Sequence, residues 1–141
     1  MADDSLRSVR LDRIGRGRYE VHNTRGGSIT IGSGEGSDFT PAELLLVAIG
    51  GCTAIDVDMI TTKRVEPVTF SVTATGDKIR DDAGANRMIN LAVTFTVEFP
   101  AGDDGDVARE RLPGAVQVSH DRLCTVSRTV ELGTPITATT G

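Results

Sequence analysis

The chain has 141 residues, 38% of them apolar and 25% charged, enough for one domain that needs no disulfide to fold. Tryptophan is absent and the aromatics are four phenylalanines and one tyrosine, so the core must be aliphatic. The net charge of -5 leaves no electrostatic footprint for nucleic acid or acidic lipid, which argues against both as partners.

The opening Met1-Ala2-Asp3-Asp4-Ser5 is acidic and lacks the apolar run of a secretory signal. Leu44 to Ile55 is the longest charge-free, apolar-rich stretch, and it is too short to span a bilayer. A cytoplasmic location without membrane contact is therefore expected. In that compartment ordinary thiols stay reduced, so Cys52 and Cys124 are a poor disulfide framework. Catalytic, redox-active or merely buried thiols all remain open readings.

From Leu6 to Ile31 the sequence suggests short strands around Val9-Leu11, Tyr19-Val21 and Ser28-Ile31, the last two joined by a turn at Asn23 to Gly27. Gly32 to Ser37 reads as a loop. Thr40 and Pro41 then open a helix, with Glu43 completing a capping box, and the helix is expected to run to about Arg64. Leu44 to Ile49 is apolar on every side, which predicts a helix buried all round. Gly50 and Gly51 sit inside it, each costing about 1 kcal/mol relative to alanine, so a close neighbour is expected there.

Two long strands follow. Val68, Phe70, Val72 and Ala74 alternate with polar residues, as do Ile89, Leu91, Val93, Phe95, Val97 and Phe99, which predicts an antiparallel pair with one wet face joined by the turn Arg80 to Arg87. Pro100 to Asp106 reads as a loop and Leu112 to Leu123 as a second helix with Pro113 in its first turn. A short helix from Cys124 and an edge strand near Pro135 to Thr139 close the chain. The order of elements is that of a single α+β domain over residues 1–141.

Two segments carry a resemblance. Thr40 to Val57, with its proline-acid-leucine opening and small residues before Cys52, looks like the central helix of the OsmC/Ohr family, closest to the branch with a Gly-Gly-Cys-Thr pattern. His120-Asp121-Arg122-Leu123-Cys124-Thr125-Val126-Ser127 is similar to that family's His-x-x-x-Cys-x-x-Ser segment. The resemblance implies an OsmC-like fold, antiparallel sheets around a long central helix, assembled as an intertwined homodimer.

It also implies a chemistry. Cys52 maps to the thiolate that attacks an organic hydroperoxide, and Cys124 to the thiol that condenses with the resulting sulfenic acid. An external dithiol then reduces the disulfide, with no cofactor and no metal. Cys52 lies roughly 15 Å into its helix at ~1.5 Å per residue, too far to gain from the N-terminal dipole. The family uses an arginine from the N-terminal strands, which maps to Arg16, with Arg18 and Arg25 behind it. The glutamate that holds this arginine is replaced by Ala42, and Glu43 falls about 180° around the helix from Cys52, where it reads as a capping residue.

Other residues have a plain reading first. His120 is a structural or capping residue before it is a tuner of Cys124, and Asp56 and Asp58 are solvated or interface groups before they orient an arginine. A zinc site from His22, His120 and both cysteines lacks the close ligand spacing such sites use. The rivals to the peroxidase are a non-catalytic dimer that binds a small apolar ligand, with Cys52 unreactive, and a redox sensor switched by the Cys52-Cys124 disulfide.

Overall fold

The computed structural model describes residues 5–141, so most of the acidic opening segment lies outside the described residues. The chain divides into two compact units, Met1–Leu45 and Leu46–Gly141.

The first unit is a three-stranded antiparallel sheet in the order β1 (Arg10–Gly15), β2 (Arg18–His22), β3 (Ser28–Ile31). The expected turn between β2 and β3 is present. Asn23 Oδ1 accepts the N–H groups of Arg25 and Gly27, both at 2.9 Å, and Gly26 takes the left-handed φ of 94° that a side chain would resist. The loop after β3 is closed at its base, where Gly32 N–H donates to Phe39 O at 3.0 Å. Ile31 is buried, whereas Leu11, Ile14 and Ile29 remain about half exposed.

The helix α1 (Pro41–Thr61) begins as its capping box predicts. Thr40 N–H donates to Glu43 Oε1 at 2.9 Å and Glu43 N–H to Thr40 Oγ1 at 3.2 Å. It ends three residues earlier than expected. Burial also differs, because only the face of Ile49, Gly50, Thr53, Val57 and Thr61 is covered. The opposite stripe, Val47, Ile55 and Met59, is 52%, 65% and 71% exposed. The two glycines divide in the same way: a Cβ on Gly50 would lie 3.2 Å from the Ala74 Cβ, whereas one on Gly51 would meet nothing within 4 Å. By length and composition alone α1 is long and apolar enough to cross a bilayer, a test that a core helix also passes.

In the second unit, β4 (Thr69–Arg80) and β5 (Asn86–Glu98) form the antiparallel pair that their alternation predicts, longer than expected at the hairpin end. The turn is held by Asp81, whose Oδ1 accepts from the N–H groups of Ala83 and Ala85 at 3.0 Å. Midway, Asn90 and Leu91 face the single Gly76 in a bulge. Asn90 sits there at φ 55° and donates from Nδ2 to Asp77 Oδ2 at 2.9 Å. A Cβ on Gly76 would lie 2.8 Å from Leu91 Cδ2 and 2.9 Å from Met88 Cε, so a side chain there would displace the ends of both.

The helix α2 (Asp103–Val118) corrects the sequence reading at both ends. It starts nine residues before the expected Leu112, because Asp103, Asp104 and Asp106 in its first turn suit a helix N-terminus. Pro113 lies inside it rather than at its start. After Val118 the backbone widens into a π-helical turn, Ser119–Leu123, closed by Cys124 N–H to Ser119 O at 2.8 Å. The last helix, α3 (Thr125–Leu132), ends at Gly133 in the left-handed conformation. No strand forms near Pro135–Thr139, and residues 134–141 have no regular structure.

Candidate functional site

Cys52 stands on α1, one position before the buried Thr53, and is partly exposed. Cys124 is fully buried in the joint between the π-helical turn and α3, with extended backbone at φ -74° and ψ 100°. The fold brings these two distant residues near enough for each thiol to influence the other's titration, and neither is in a disulfide.

Their surroundings differ in kind. Cys124 is the N-cap of α3, and its Sγ accepts the Ser127 N–H at 3.3 Å, the role that serine or aspartate oxygens usually fill. Burial alone would push the Cys124 thiol up. The Ser127 hydroxyl, the Ser127 and Val126 N–H groups and the Cys52 thiol oppose it, and the outcome is a Cys124 thiol below its ordinary value. Cys52 moves the other way. Burial pushes it up, the Val126 N–H offsets part of that, and Cys124 and the Asp56 carboxylate add to the rise.

Asp56 is held where it acts. Ser119 Oγ donates to Asp56 Oδ2 at 2.8 Å and lies 2.8 Å from Thr53 Oγ1. Ser119 has a single hydroxyl proton, and giving it to Asp56 makes Thr53 the donor in the second bond. The interface role expected for Asp56 is thus partly a tie within the chain. Asp58 instead accepts from the Thr62 hydroxyl at 3.1 Å.

The remaining candidates lie elsewhere. Arg16 is in the β1–β2 turn and makes no ion pair among the described residues. Arg18 is engaged with Asp38 Oδ2 at 3.2 Å, and Arg25 sits in the turn after β2. Glu43 is a capping residue, as expected. His120 has a structural role: Nδ1 meets Asp121 Oδ1 at 2.9 Å and Nε2 meets Glu131 Oε1 at 2.8 Å, tying the π-helical turn to α3. Two carboxylates require two N–H donors, and these bonds, that to Asp121 first, raise the imidazole above its usual value. His22 is paired with Glu20 Oε1 at 3.0 Å. Among the described residues, no three His, Cys, Asp or Glu side chains gather as metal ligands.

A cavity of about 470 Å³ opens in the second unit, walled by Ile49, Val93, Phe95 and Val116. Neither cysteine lines it, but Thr53 and Ser127 do, one adjacent to Cys52 in sequence and the other hydrogen-bonded to Cys124. Sequence reasoning missed Ser119 and the role of Ser127. The second was readable as the donor position three residues after a cap. Ser119 offers no signal, because its burial depends on the π-helical turn.

Comparison with known proteins agrees with this architecture. An uncharacterized protein of Mycobacterium tuberculosis is 27% identical over 127 residues, covering 89% of this chain and 90% of its own. The structure of an OsmC-like protein of unknown function from Vibrio cholerae superposes with a TM-score of 0.73 at 14% identity, covering 90% of this chain and 94% of its own. The organic hydroperoxide resistance protein OhrB of Bacillus subtilis gives a TM-score of 0.55 at 16% identity, covering 88% of this chain and 90% of its own. At these identities the two structures establish the fold alone. The OsmC-like protein family matches residues 34–139, a stretch that holds both cysteines, all three helices and the β4–β5 pair. The chain belongs to the OsmC-like family.

Proposed function

We propose that this protein is a thiol-dependent peroxidase that reduces organic hydroperoxides in the cytoplasm. The observation that carries the reading is the pair of neighbouring thiols, 72 positions apart in sequence, one partly exposed and the other fully buried. In this reading a peroxide reaches the first, and the second resolves the product.

Cys52, as thiolate, attacks the terminal oxygen of the hydroperoxide; the O–O bond breaks, a sulfenic acid forms, and the alkoxide leaves as the alcohol once protonated. Cys124 then attacks the Cys52 sulfur, an S–S bond forms, and hydroxide departs as water. Two electrons have passed from two thiols to one peroxide. An external dithiol returns them by exchange. Arg16 supplies the cation that stabilises the Cys52 thiolate, because an adjacent positive charge favours the charged form.

The working form in this reading is a homodimer. The exposed stripe Val47, Ile55 and Met59 on α1, with the open Gly51 among them, is a helix surface suited to a second copy. Gly51→Leu adds a side chain whose Cβ meets nothing in its own chain, so it should dissociate the dimer in sedimentation while Gly50→Leu destabilises the fold by about 1–3 kcal/mol of overpacking. A well-folded wild-type monomer in that measurement refutes the dimer.

The test of activity is to count accessible thiols before and after one equivalent of an alkyl hydroperoxide. Loss of two thiols per chain followed by turnover with a dithiol is the expected result. Loss without turnover points to a redox sensor. No loss favours a ligand-binding protein, a reading that rests on the apolar cavity.

A further inference from the structure

We infer that the cavity of the second unit is a ligand site in its own right, and that it takes a small primary aliphatic amine, with the chain inside and the ammonium at the mouth beside Glu131. The site stands apart from the peroxidase reading, since neither cysteine lines the cavity.

The walls are apolar on several sides. Ile49 lies on the covered face of α1, Val93 and Phe95 stand two apart on one face of β5, and Val116 joins them from α2. The last helix, α3, buries none of its residues, yet Ser127, Val130 and Glu131, at the i, i+3, i+4 spacing of one helix face, all line the same space. Val130 is left 37% exposed there. An apolar side chain left open at a cavity has room for an occupant, and about 470 Å³ falls within the roughly 300–1,000 Å³ of small-molecule pockets. A second copy docked on the Val47, Ile55 and Met59 stripe would leave this space open, because Ile49 and Thr53 lie on the opposite face of α1.

Charge decides the head group. Among the described residues that line the cavity none is a lysine or arginine, and the charged ones are His120 and Glu131, both exposed, which places them at the mouth. The imidazole is fully engaged, Nδ1 with Asp121 Oδ1 at 2.9 Å and Nε2 with Glu131 Oε1 at 2.8 Å, so it has no N–H left for an incoming anion. The two carboxylates and one imidazolium leave an excess of one negative charge, and Glu131 keeps the lone pairs of its second oxygen. Gln117, also at the mouth, donates from Nε2 to Asp121 Oδ2 at 2.8 Å, and its amide oxygen is a further acceptor. Arg128 donates to the Asp121 carbonyl at 3.1 Å and does not line the cavity. A carboxylate head would meet like charge here, whereas an ammonium would meet opposite charge and acceptors for its three N–H groups.

The experiment titrates octylamine, octanol and octanoate, probes of equal chain length, into the full-length protein at neutral pH and follows amide and methyl NMR shifts. Octylamine should bind about tenfold more tightly than octanoate, one exposed attraction lost and one repulsion gained, with octanol between them. The shifts should centre on Ile49, Val93 and Val116. Glu131→Gln, which keeps an oxygen for the His120 N–H, should weaken octylamine about two- to fivefold and leave octanol unchanged. Val93→Phe, which fills the space, should abolish binding of all three. Octanoate binding as tightly as octylamine overturns the inference, as do equal weakening of octylamine and octanol by Glu131→Gln, shifts centred on the Val47, Ile55 and Met59 stripe, or no binding of any probe to the wild-type protein. If Val93→Phe does not fold, the probe series on the wild-type protein still decides. No peroxide is used, so a protein without peroxidase activity can pass this test and an active peroxidase can fail it.

Discussion

The middle of α1 and the start of α3 each present a sulfur to the other, yet they treat it in opposite ways. At Cys52 the helix has already satisfied its backbone N–H groups, so α1 offers the thiol no main-chain donor of its own, only a nearby carboxylate. At Cys124 the helix is just beginning, its first N–H groups have no partner inside the helix, and the sulfur takes them. Exposure runs the other way, since Cys52 is the one solvent can reach. Accessibility and main-chain hydrogen-bond donors are thus separated onto two neighbouring residues.

The strongest way to break that comparison is to remove each sulfur in turn. Cys52→Ser should abolish hydroperoxide consumption, while Cys124→Ser should complete one oxidation and stall at sulfenic acid or over-oxidise, as mass spectrometry of the intact chain would report. Undiminished consumption without Cys52 would put the reactive sulfur at the buried position instead. A smaller change is expected from Arg16→Ala. If that arginine stabilises the Cys52 thiolate, its loss leaves about ten- to a thousandfold less thiolate at neutral pH, because an adjacent opposite charge shifts a titration by one to three units. Stopped-flow oxidation rates measure this directly, and an unchanged rate would assign the activation to the second unit alone.

The smallest effect belongs to the tie that holds the Cys124 side together. The imidazole of His120 is raised in the folded protein by its bonds to Asp121 and Glu131, so its stabilisation is complete below the ordinary value of 6.5 and is lost as pH rises through the folded value. Asp121 is lowered, by Gln117 first and then His120, so its share fades as pH falls below 3.8. His120→Gln should therefore reduce Tm by no more than about 2 °C at pH 6, since the cluster is exposed and screened, and less at pH 9. A thermal-shift series across pH measures it. A large loss of stability that ignores pH would mean the ring is held by packing rather than charge.

Much of this arrangement was legible in the sequence, and the exceptions have physical causes. The alternation in β4 and β5 survives because each strand keeps one face covered, and Thr40 with Glu43 form the expected cap because a capping box depends only on neighbours in sequence. Pro113 misled because its constraint is local and severe, while the three aspartates that open α2 act through a weaker dipole. The segment Pro135 to Thr139 has strand-like residues but no partner strand, and propensity without pairing builds nothing. That α1 would be apolar all round was correct as composition and wrong as burial in the single chain. The contact between Cys52 and Cys124 needed the resemblance to be foreseen, and Ser119 could not be foreseen at all, since its inward direction is set by the π-helical turn.

A helix is usually begun by an oxygen whose capacity to accept does not change during the life of the protein. Here the start of α3 is held by a sulfur, alongside the Arg128 N–H to Cys124 O bond at 3.1 Å. A thiolate is a strong acceptor, a thiol a weaker one and a disulfide sulfur weaker still. If Cys124 is oxidised, its cap on the Ser127 N–H should weaken. Faster hydrogen exchange at the Ser127 amide after oxidation would be the expected readout.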